Sequence, residues 1–307
     1  MKSKKIIIGS RGSKLALIYA ERACSKILET SSDFEIEEVE IKKIKTSGDI
    51  NQKDRLSDVG GKGLFLKQIE NELLEDKIDI AVHALKDMPS EETDGLLTNC
   101  FLERCDPREV LISKNNILFS ELCSNSVVGT SSFRREFQLK KIRKDLTYKL
   151  IRGNVDTRIK KLDEGLYDAI ILSYAGINSL GLEDKISQTF SISEIIPSAG
   201  QAVVALQCKK NNDIITELLQ RINHQPTHNC MLAERNVLKV LEGDCETAIG
   251  ATSSIKNNQI ILEAELFSLD GEQRFYHKAS KEIKSAALLG LEVGEILKKE
   301  SKNSYKK

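Results

Sequence analysis

The sequence predicts a mixed α/β protein with two α/β domains and a C-terminal α+β domain that carries a small antiparallel sheet. Its 307 residues are enough for two or three domains with substantial cores. Through the first two thirds, short apolar runs alternate with helix-like segments, an order typical of parallel or mixed sheets covered by helices. In the last third, three segments of alternating polarity follow one another, which indicates an antiparallel sheet.

The first two thirds of the chain contain two α/β regions of similar style, without a visible internal repeat. Ser13 is the expected N-cap of the first helix. Strands are predicted over 4–9, 34–44 and 78–85, with helices over 14–28 and about 64–76. In the second region, strands are predicted over 108–113, 127–129, 148–153 and 167–172, with helices over 131–144, 154–165 and from 173 to Gly181. An apolar stretch over 195–208 and a short helix over 212–222 complete this part.

The last third begins with a predicted hinge over 224–227 and an amphipathic helix over 228–241. Gly243 is the expected residue just past the end of this helix. Asp270 and Gly271 predict a hairpin turn between the second and third alternating segments. A final helix is predicted over 283–299, and the basic tail that follows is expected to be frayed and solvated.

The composition excludes several classes of partner. Forty-six basic residues balance forty-six acidic ones, so the chain has no bulk attraction for nucleic acid or a membrane surface. An aromatic content of 5% and the lack of a basic stripe also disfavour a nucleic-acid binder. No export signal is expected, and no apolar run approaches the ~18 residues that a membrane span needs. A small-molecule ligand is the expected partner.

Cysteine and histidine spacing gives little sign of metal chemistry. The seven cysteines are odd in number and form no C-x-x-C pair, which favours reduced thiols and a cytoplasmic location. His224 and His228 are four residues apart, but Pro226 lies between them. No metal site is therefore predicted.

Two arginine-bearing loops, over 127–136 and 150–158, are the strongest functional signal in the sequence. Each follows a short apolar run and places arginine in or beside the first turn of a predicted helix, where a cation opposes the helix dipole. Free backbone N–H groups and guanidinium groups at one place predict an anion site. Because the net charge is zero, this positive charge is local and predicts a small polyanionic ligand. Arg134 and Arg135 are adjacent, so the alternative is one ligand contact and one surface arginine.

Several polar residues are predicted to face a single cleft, because ligands of α/β sheets lie beyond the carboxyl ends of the strands. An aspartate there among cations could stabilise a cationic intermediate or pass a proton, whereas the alternative is a solvated turn. The residues that follow predicted strands in this way are Arg11, Lys86, Asp87, Arg134, Arg135 and Arg152.

Two loops have weaker signals. Cys245 follows a predicted helix end and has acidic neighbours, which disfavour a thiolate nucleophile but are compatible with a single slow covalent attachment. The alternative is a small buried hydrophobic residue. The glycine-rich stretch 60–63, with Lys62, lacks the spacing of a phosphate-binding loop and indicates either a lid or a plain turn.

Four groups of residues together resemble the hydroxymethylbilane synthase family, also called porphobilinogen deaminase. They are VHALKDMP at 82–89, GTSSFRRE at 129–136, IRGNVDTR at 151–158, and LEGDC with IGA at 241–251. Their order and spacing match the family along nearly the whole chain. The resemblance implies two domains like type II periplasmic binding proteins around a cleft, and a third domain. The expected domains are 1–102 with 203–222, then 103–202, and then 223–307.

The resemblance also implies an activity and its residues. The family condenses four porphobilinogen molecules head to tail, releases ammonia each time, and then releases 1-hydroxymethylbilane. A dipyrromethane cofactor, here joined by a thioether to Cys245, primes the reaction. Asp87 matches the catalytic aspartate, Lys62 falls in a mobile lid, and Gln201 lies in a crossover near the cofactor. The positions that match the family's carboxylate-binding residues are Arg11, Ser13, Lys86, Thr130, Ser132, Arg134, Arg135, Arg152 and Arg158. A monomer is expected.

The chain departs from common family patterns at five positions. Asp58 and Ser179 stand where many or some members have a cation, and Ala84 stands where serine is frequent. Asp244 and Ala248 replace a glycine and a proline that flank the cysteine. Weaker binding of later intermediates is the expected result.

One rival interpretation is a non-enzymatic, two-domain solute-binding protein for a small polycarboxylate. The paired α/β domains fit it. The loop cysteine and the Lys86–Asp87 pair at a strand end favour an enzyme.

Overall fold

The computed structural model describes residues 4–46, 66–243 and 247–306. The first part of the chain forms β1 (Lys4–Arg11), α1 (Lys14–Leu28), α2 (Ser31–Phe34), β2 (Ile36–Ile44), α3 (Lys67–Leu74), β3 (Ile80–Ala84) and β4 (Leu96–Phe101). The middle part forms β5 (Glu109–Ser113), β6 (Val127–Gly129), α4 (Phe133–Ile142), β7 (Thr147–Lys149), α5 (Val155–Asp163), β8 (Ala169–Ser173), α6 (Tyr174–Ser179) and β9 (Gln188–Thr189). The last part forms β10 (Val204–Lys209), α7 (Asp213–Ile222), α8 (Gln225–Leu241), β11 (Ile249–Lys256), β12 (Gln259–Phe267), β13 (Arg274–Glu282) and α9 (Ala286–Ser301).

Two mixed sheets of similar design form the α/β part. The first has the order β2-β1-β3-β10-β4, with β1 parallel to β2 and β3, and β10 antiparallel to its two neighbours. The second has the order β7-β6-β8-β5-β9, with β6 parallel to β7 and β8, and β5 antiparallel to its neighbours. Apolar clusters cover both faces of each sheet. The predicted α/β architecture is therefore confirmed.

The third sheet, β11-β12-β13, is antiparallel throughout, as the alternating segments predicted. Its apolar face packs against α8 and α9 in one large core. Gly271 lies in the turn between β12 and β13 with φ of 77°, a conformation that glycine adopts without strain.

A buried ion pair ties this third sheet to the segments that connect the first two. Arg104 Nη1 lies 2.5 Å from Glu234 Oε1, and the Glu234 side chain is fully buried on α8. The same carboxylate accepts hydrogen bonds from the backbone N–H groups of Gly200, at 2.8 Å, and Ser253, at 2.7 Å. Three parts of the chain are therefore held around one carboxylate.

The structure corrects the prediction for residues 224–243. Pro226 lies in the first turn of α8, where its missing N–H costs no hydrogen bond, so 224–227 is a helix start rather than a hinge. His224 is the N-cap residue, and its Nδ1 lies 2.8 Å from Thr227 Oγ1. At the other end, Glu242 rather than Gly243 adopts the left-handed conformation, with φ of 51°.

The basic tail is also different from the expectation. Helix α9 continues to Ser301, and Tyr305 is 2% exposed within the core of the third sheet. The backbone N–H of Leu269 donates to Ser304 O at 3.0 Å. The buried Tyr305 side chain therefore anchors the C-terminal end, which the basic residues around it had suggested would be solvated.

No helix among the described residues is long and apolar enough to cross a bilayer.

Candidate active site

Two strand ends of the first sheet open onto one cavity. β1 ends at Arg11, and β3 runs into a 3-10 turn over Leu85–Asp87. Because these strands are parallel neighbours, both ends lie at the same edge. The cavity measures about 60 Å³, enough for a small ligand group or several waters. Arg11, Ser13 and Asp87 are among its lining residues.

Local hydrogen bonds fix this edge. Ser13 Oγ accepts from the backbone N–H of Ala16 at 3.3 Å, so Ser13 caps α1 as predicted. Asp87 is exposed, and the turn that carries it is closed by the N–H of Met88 donating to Leu85 O at 3.0 Å. The Asp87 carboxylate therefore faces open space beside the cavity, where a ligand can reach it.

The loop after β6 uses its hydroxyl groups to start α4. Thr130 Oγ1 accepts from the N–H of Ser132 at 3.2 Å, and Ser132 Oγ accepts from the N–H of Arg135 at 3.4 Å. Each hydroxyl keeps its own proton for a further donor contact. The predicted helix start is confirmed. Both hydroxyl groups lie at the N-terminus of α4, next to the arginines of its first turn.

Arg134 and Arg135 share one buried carboxylate, that of Glu109 at the start of β5. Arg134 Nη2 lies 2.6 Å from Glu109 Oε1, and Arg135 Nη2 lies 2.7 Å from Glu109 Oε2. Their other ends donate to the carbonyl oxygens of Ile196, at 2.7 Å, and Ile171, at 3.2 Å. Neither arginine is on the surface, so the alternative of one ligand contact and one surface arginine is wrong.

Glu109 stays charged in spite of its burial. Desolvation opposes the carboxylate, but the charges of Arg135 and Arg134, with a hydrogen bond from Arg135, lower its pKa to about 2. Lys86 contributes in the same direction. The pair of arginines is therefore neutralised only in part, since one carboxylate serves two guanidinium groups.

The arginine cluster also contains side-chain N–H groups that can bind a ligand. The buried Nε atoms of Arg135 and Arg152 have no hydrogen-bond partner among the described residues. Arg158 Nε donates to Gly153 O at 2.8 Å, while burial and the charges of Arg135 and Arg152 lower its pKa to about 10. Unpartnered buried donors are costly in a ligand-free site. The cluster therefore fits an anionic ligand.

Lys86 joins this cluster from the first sheet. Its Nζ lies 3.5 Å from Ser173 Oγ at the end of β8. Burial, and then the charge of Arg135, lower its pKa to about 8. The first and second sheets therefore bring their predicted cations to one place, as the positions after the strand ends implied.

Gln201 has an internal role in the structure. Its side chain is fully buried, Nε2 donates to Pro107 O at 2.7 Å, and Oε1 accepts from Ser198 Oγ at 3.4 Å. These bonds hold the two connections between the sheets together. A direct contact of Gln201 with a ligand stays a prediction.

Some predicted positions lie outside the described residues, namely Asp58, Lys62, Asp244 and Cys245. The other three departures, Ala84, Ser179 and Ala248, lie within the described residues, and Ser179 ends α6. Ala84 lines the cavity, and Ala248 is buried between Phe137 of α4 and Phe267 of β12. Ala248 therefore anchors the chain shortly after Cys245.

Three residues of the site were missed by the sequence analysis: Glu109, Tyr19 and His83. Tyr19 and His83 line the cavity, and burial lowers the pKa of His83 to about 4, so its ring is neutral. His83 Nε2 lies 3.2 Å from Gln207 Oε1. The available signal for Glu109 was a single acidic residue at the start of an otherwise apolar strand.

Comparisons with known proteins decide the family. A model of the porphobilinogen deaminase dipyromethane cofactor binding domain matches residues 6–217, and a model of the porphobilinogen deaminase C-terminal domain matches residues 228–299. The chain belongs to the porphobilinogen deaminase family. A porphobilinogen deaminase from Staphylococcus epidermidis is 40% identical over 301 residues, which cover 97% of this chain and 96% of the relative. One from Bacillus cereus is 42% identical over 270 residues, or 87% and 86% of the two chains.

The solved structures that match the chain are more distant. A probable amino-acid ABC transporter extracellular-binding protein from Bacillus subtilis has a TM-score of 0.41 and 15% identity, covering 72% of this chain and 92% of its own. A protein from a study of glutathione import in Streptococcus mutans has a TM-score of 0.39 and 13% identity, with coverages of 72% and 87%.

The membership confirms the main expectations from the sequence. The chain is a porphobilinogen deaminase of tetrapyrrole biosynthesis, and its matched N-terminal part is a dipyrromethane cofactor-binding domain. Within residues 4–46, 66–243 and 247–306, no group of three or more histidine, cysteine or acidic side chains is arranged to hold a metal ion.

Proposed function

We propose a set of roles for the residues of this chain in the condensation of four porphobilinogen molecules into 1-hydroxymethylbilane. The observation that carries the proposal is the position of Asp87, exposed beside a cavity at an edge where cations from two sheets meet. An anion that enters this edge neutralises the cations, and Asp87 remains available for positive charge on the reacting rings.

The cation cluster fits the dipyrromethane group. Each pyrrole ring of the family's substrate bears an acetate and a propionate, so each ring brings two negative charges. The buried Nε atoms of Arg135 and Arg152 supply donors without a partner among the described residues. When bound, the cofactor supplies a primer pyrrole to which further rings are added. We propose that its carboxylates and those of the substrate are held by Arg11, Ser13, Lys86, Thr130, Ser132, Arg134, Arg135, Arg152 and Arg158.

Arg134 and Arg135 have different roles in this proposal. Both Nη atoms of each arginine already bond to protein, at Glu109 and at the carbonyl oxygens of Ile196 and Ile171, so these bonds do not separate the two. The difference lies at Nε, and Arg134 contributes to carboxylate binding mainly by orienting the cluster. Arg135 keeps its Nε for a ligand oxygen. Glu109 holds both guanidinium planes in place before the ligand arrives, which reduces the cost of ordering them on binding.

Asp87 acts on the positive charge that develops on the pyrrole nitrogens as ammonia leaves and the new C–C bond forms. A carboxylate that is already fixed in place stabilises such a charge without its own reorganisation. Cys245 is the proposed attachment point, Lys62 contacts ligand carboxylates from the lid, and Gln201 holds the crossover next to the cofactor.

We also propose the organisation of the chain. The strands of the first sheet fall within 1–102 and 203–222, those of the second within 103–202, and those of the third within 223–307, which supports these domain bounds. A cytoplasmic monomer is the proposed working form.

Release of ammonia separates this function from solute binding. Purified protein incubated with porphobilinogen should release one ammonia for each porphobilinogen consumed. A solute-binding protein would bind the pyrrole without releasing ammonia, and that result would overturn the proposal.

Binding of carboxylate ligands should depend on the charge of Lys86. Since its pKa is about 8 in the ligand-free protein, Lys86 loses its charge as the pH rises through 8, and the Michaelis constant for porphobilinogen should increase above that pH. Lys86→Met should raise the Michaelis constant about tenfold at pH 7, as expected for a lost bond to a charged group, and should flatten this part of the pH profile. Steady-state kinetics between pH 6.5 and 9.5, in roughly half-unit steps chosen to span this pKa, measures both effects.

Lys140→Met is the matched control, because Lys140 is exposed on α4 and pairs with Glu136. Lys140→Met should leave the pH dependence of the Michaelis constant unchanged. If the Michaelis constant of Lys86→Met still rises through pH 8, a group other than Lys86 titrates there.

A further inference from the structure

Helix α1, which follows β1 of the first sheet, packs against helix α6, which follows β8 of the second sheet. Leu15 and Tyr19 are four residues apart and therefore lie on one face of α1. A Cβ atom on Gly176 of α6 would lie 3.7 Å from Leu15 Cδ2, so the two helices are in van der Waals range. Ser179, three residues after Gly176, is a side-chain hydrogen-bond partner of Tyr19. This contact joins a helix of the first α/β region to a helix of the second.

The same tyrosine reaches the active-site cavity. Tyr19 lines it together with Arg11, Ser13 and Asp87. Burial, and then the charges of Asp87 and Cys105, raise the pKa of Tyr19 to about 12. The phenol therefore stays protonated at neutral pH and is a hydrogen-bond donor. Ser179 on α6 is its side-chain partner across the contact between the two helices.

A neutral donor has a specific advantage beside Asp87. Asp87 already interacts with the charges of Lys86 and Arg158, and a further cation at the end of α6 would weaken its attraction for positive charge on a pyrrole ring. The phenol can bind a ligand carboxylate and cannot form an ion pair with Asp87. Ser179, which stands where some family members have an arginine, therefore belongs with Tyr19.

We propose that Tyr19 is a substrate-binding residue whose hydroxyl donates a hydrogen bond to a ring carboxylate in the cavity beside Asp87, with Ser179 as its positioning residue. The inference rests on the proposed function, because the carboxylate belongs to porphobilinogen or to the growing chain. The hydroxyl exchanges Ser179 for the ligand oxygen on binding, while Tyr19 keeps its place on α1.

The test uses the holoenzyme with Tyr19→Phe, Ser179→Ala and the double variant. Tyr19→Phe should raise the Michaelis constant for porphobilinogen about tenfold, as for a lost bond to a charged group, and leave kcat within about twofold. Ser179→Ala should raise the Michaelis constant by a smaller factor, about threefold, because it removes only the orienting contact. The double variant should match Tyr19→Phe, since the two residues act as a unit.

Tyr276→Phe is the control, because the Tyr276 hydroxyl bonds to Glu263 on the third sheet, and its kinetics should equal those of the wild type. A Michaelis constant for Tyr19→Phe within about twofold of wild type, or a loss confined to kcat or to thermal stability, would overturn the inference. Failure of the proposed function would be distinguishable, since the wild-type protein itself would then release no ammonia from porphobilinogen.

Discussion

Asp87→Asn should lower kcat by about 10²–10³-fold, the range for removal of a group that stabilises transition-state charge. The amide keeps the size of the side chain but cannot balance positive charge on a pyrrole ring. Binding of carboxylates should change little, because the cations that hold them are untouched. Stability should also be unchanged, since Asp87 is exposed. Single-turnover kinetics would separate slow chemistry from slow release.

Asp184→Asn provides the matched control for this variant. Asp184 is also an exposed aspartate in a short 3-10 turn, over Glu183–Lys185. Its turnover should equal that of the wild type. Normal turnover by Asp87→Asn would remove Asp87 from the mechanism, and loss of ligand binding would show that it acts in binding instead.

Glu109→Gln should destabilise the protein by about 3–5 kcal/mol, because it leaves buried cations without their counter-charge. Both guanidinium groups of Arg134 and Arg135 depend on this carboxylate, at 2.6 and 2.7 Å. The free energy of unfolding, measured in urea, gives the effect directly. Glu136→Gln is the control, since its pair with Lys140 lies at the surface and should contribute less than about 1 kcal/mol.

The pH dependence of this effect has a definite sign. The pKa of Glu109 is depressed from 4.5 to about 2, so its contribution is fully present above pH 4.5 and is lost as the pH falls toward 2. The difference in the free energy of unfolding between wild type and Glu109→Gln should therefore become smaller below pH 4.5. A difference that is small at pH 7, or that does not change in acid, would contradict the assigned role.

Local patterns were sufficient for most of the secondary structure. The predicted helix over 14–28 agrees with Lys14–Leu28, because Ser13 supplies a hydroxyl cap and the apolar residues repeat at helical spacing. Strand β4 was not predicted from the sequence. Thr98 is buried on the inward face of this strand, so apolar residues alone do not mark that face. The position of the C-terminal tail could not be predicted, because Tyr305 is buried by residues that are far from it in the sequence.

The active site could be predicted in part for a topological reason. Residues just past parallel strands meet at one edge, so Arg11 and the Lys86–Asp87 pair could be placed together before the structure was known. Glu109 could not be paired with Arg134, because the partners are 25 residues apart and β5 runs antiparallel to its neighbours. For the same reason, the contact between Tyr19 and Ser179 had no local signal.

The mass of the intact, denatured protein tests the central claim most directly. A porphobilinogen deaminase that carries its primer on Cys245 should exceed the mass of its sequence by two linked pyrrole units. Cys245→Ser should have only the mass of its sequence and no turnover, whereas Cys123→Ser, which changes an exposed cysteine of the second α/β region, should keep the added mass. A wild-type protein without added mass, or an addition that persists in Cys245→Ser, would contradict the account.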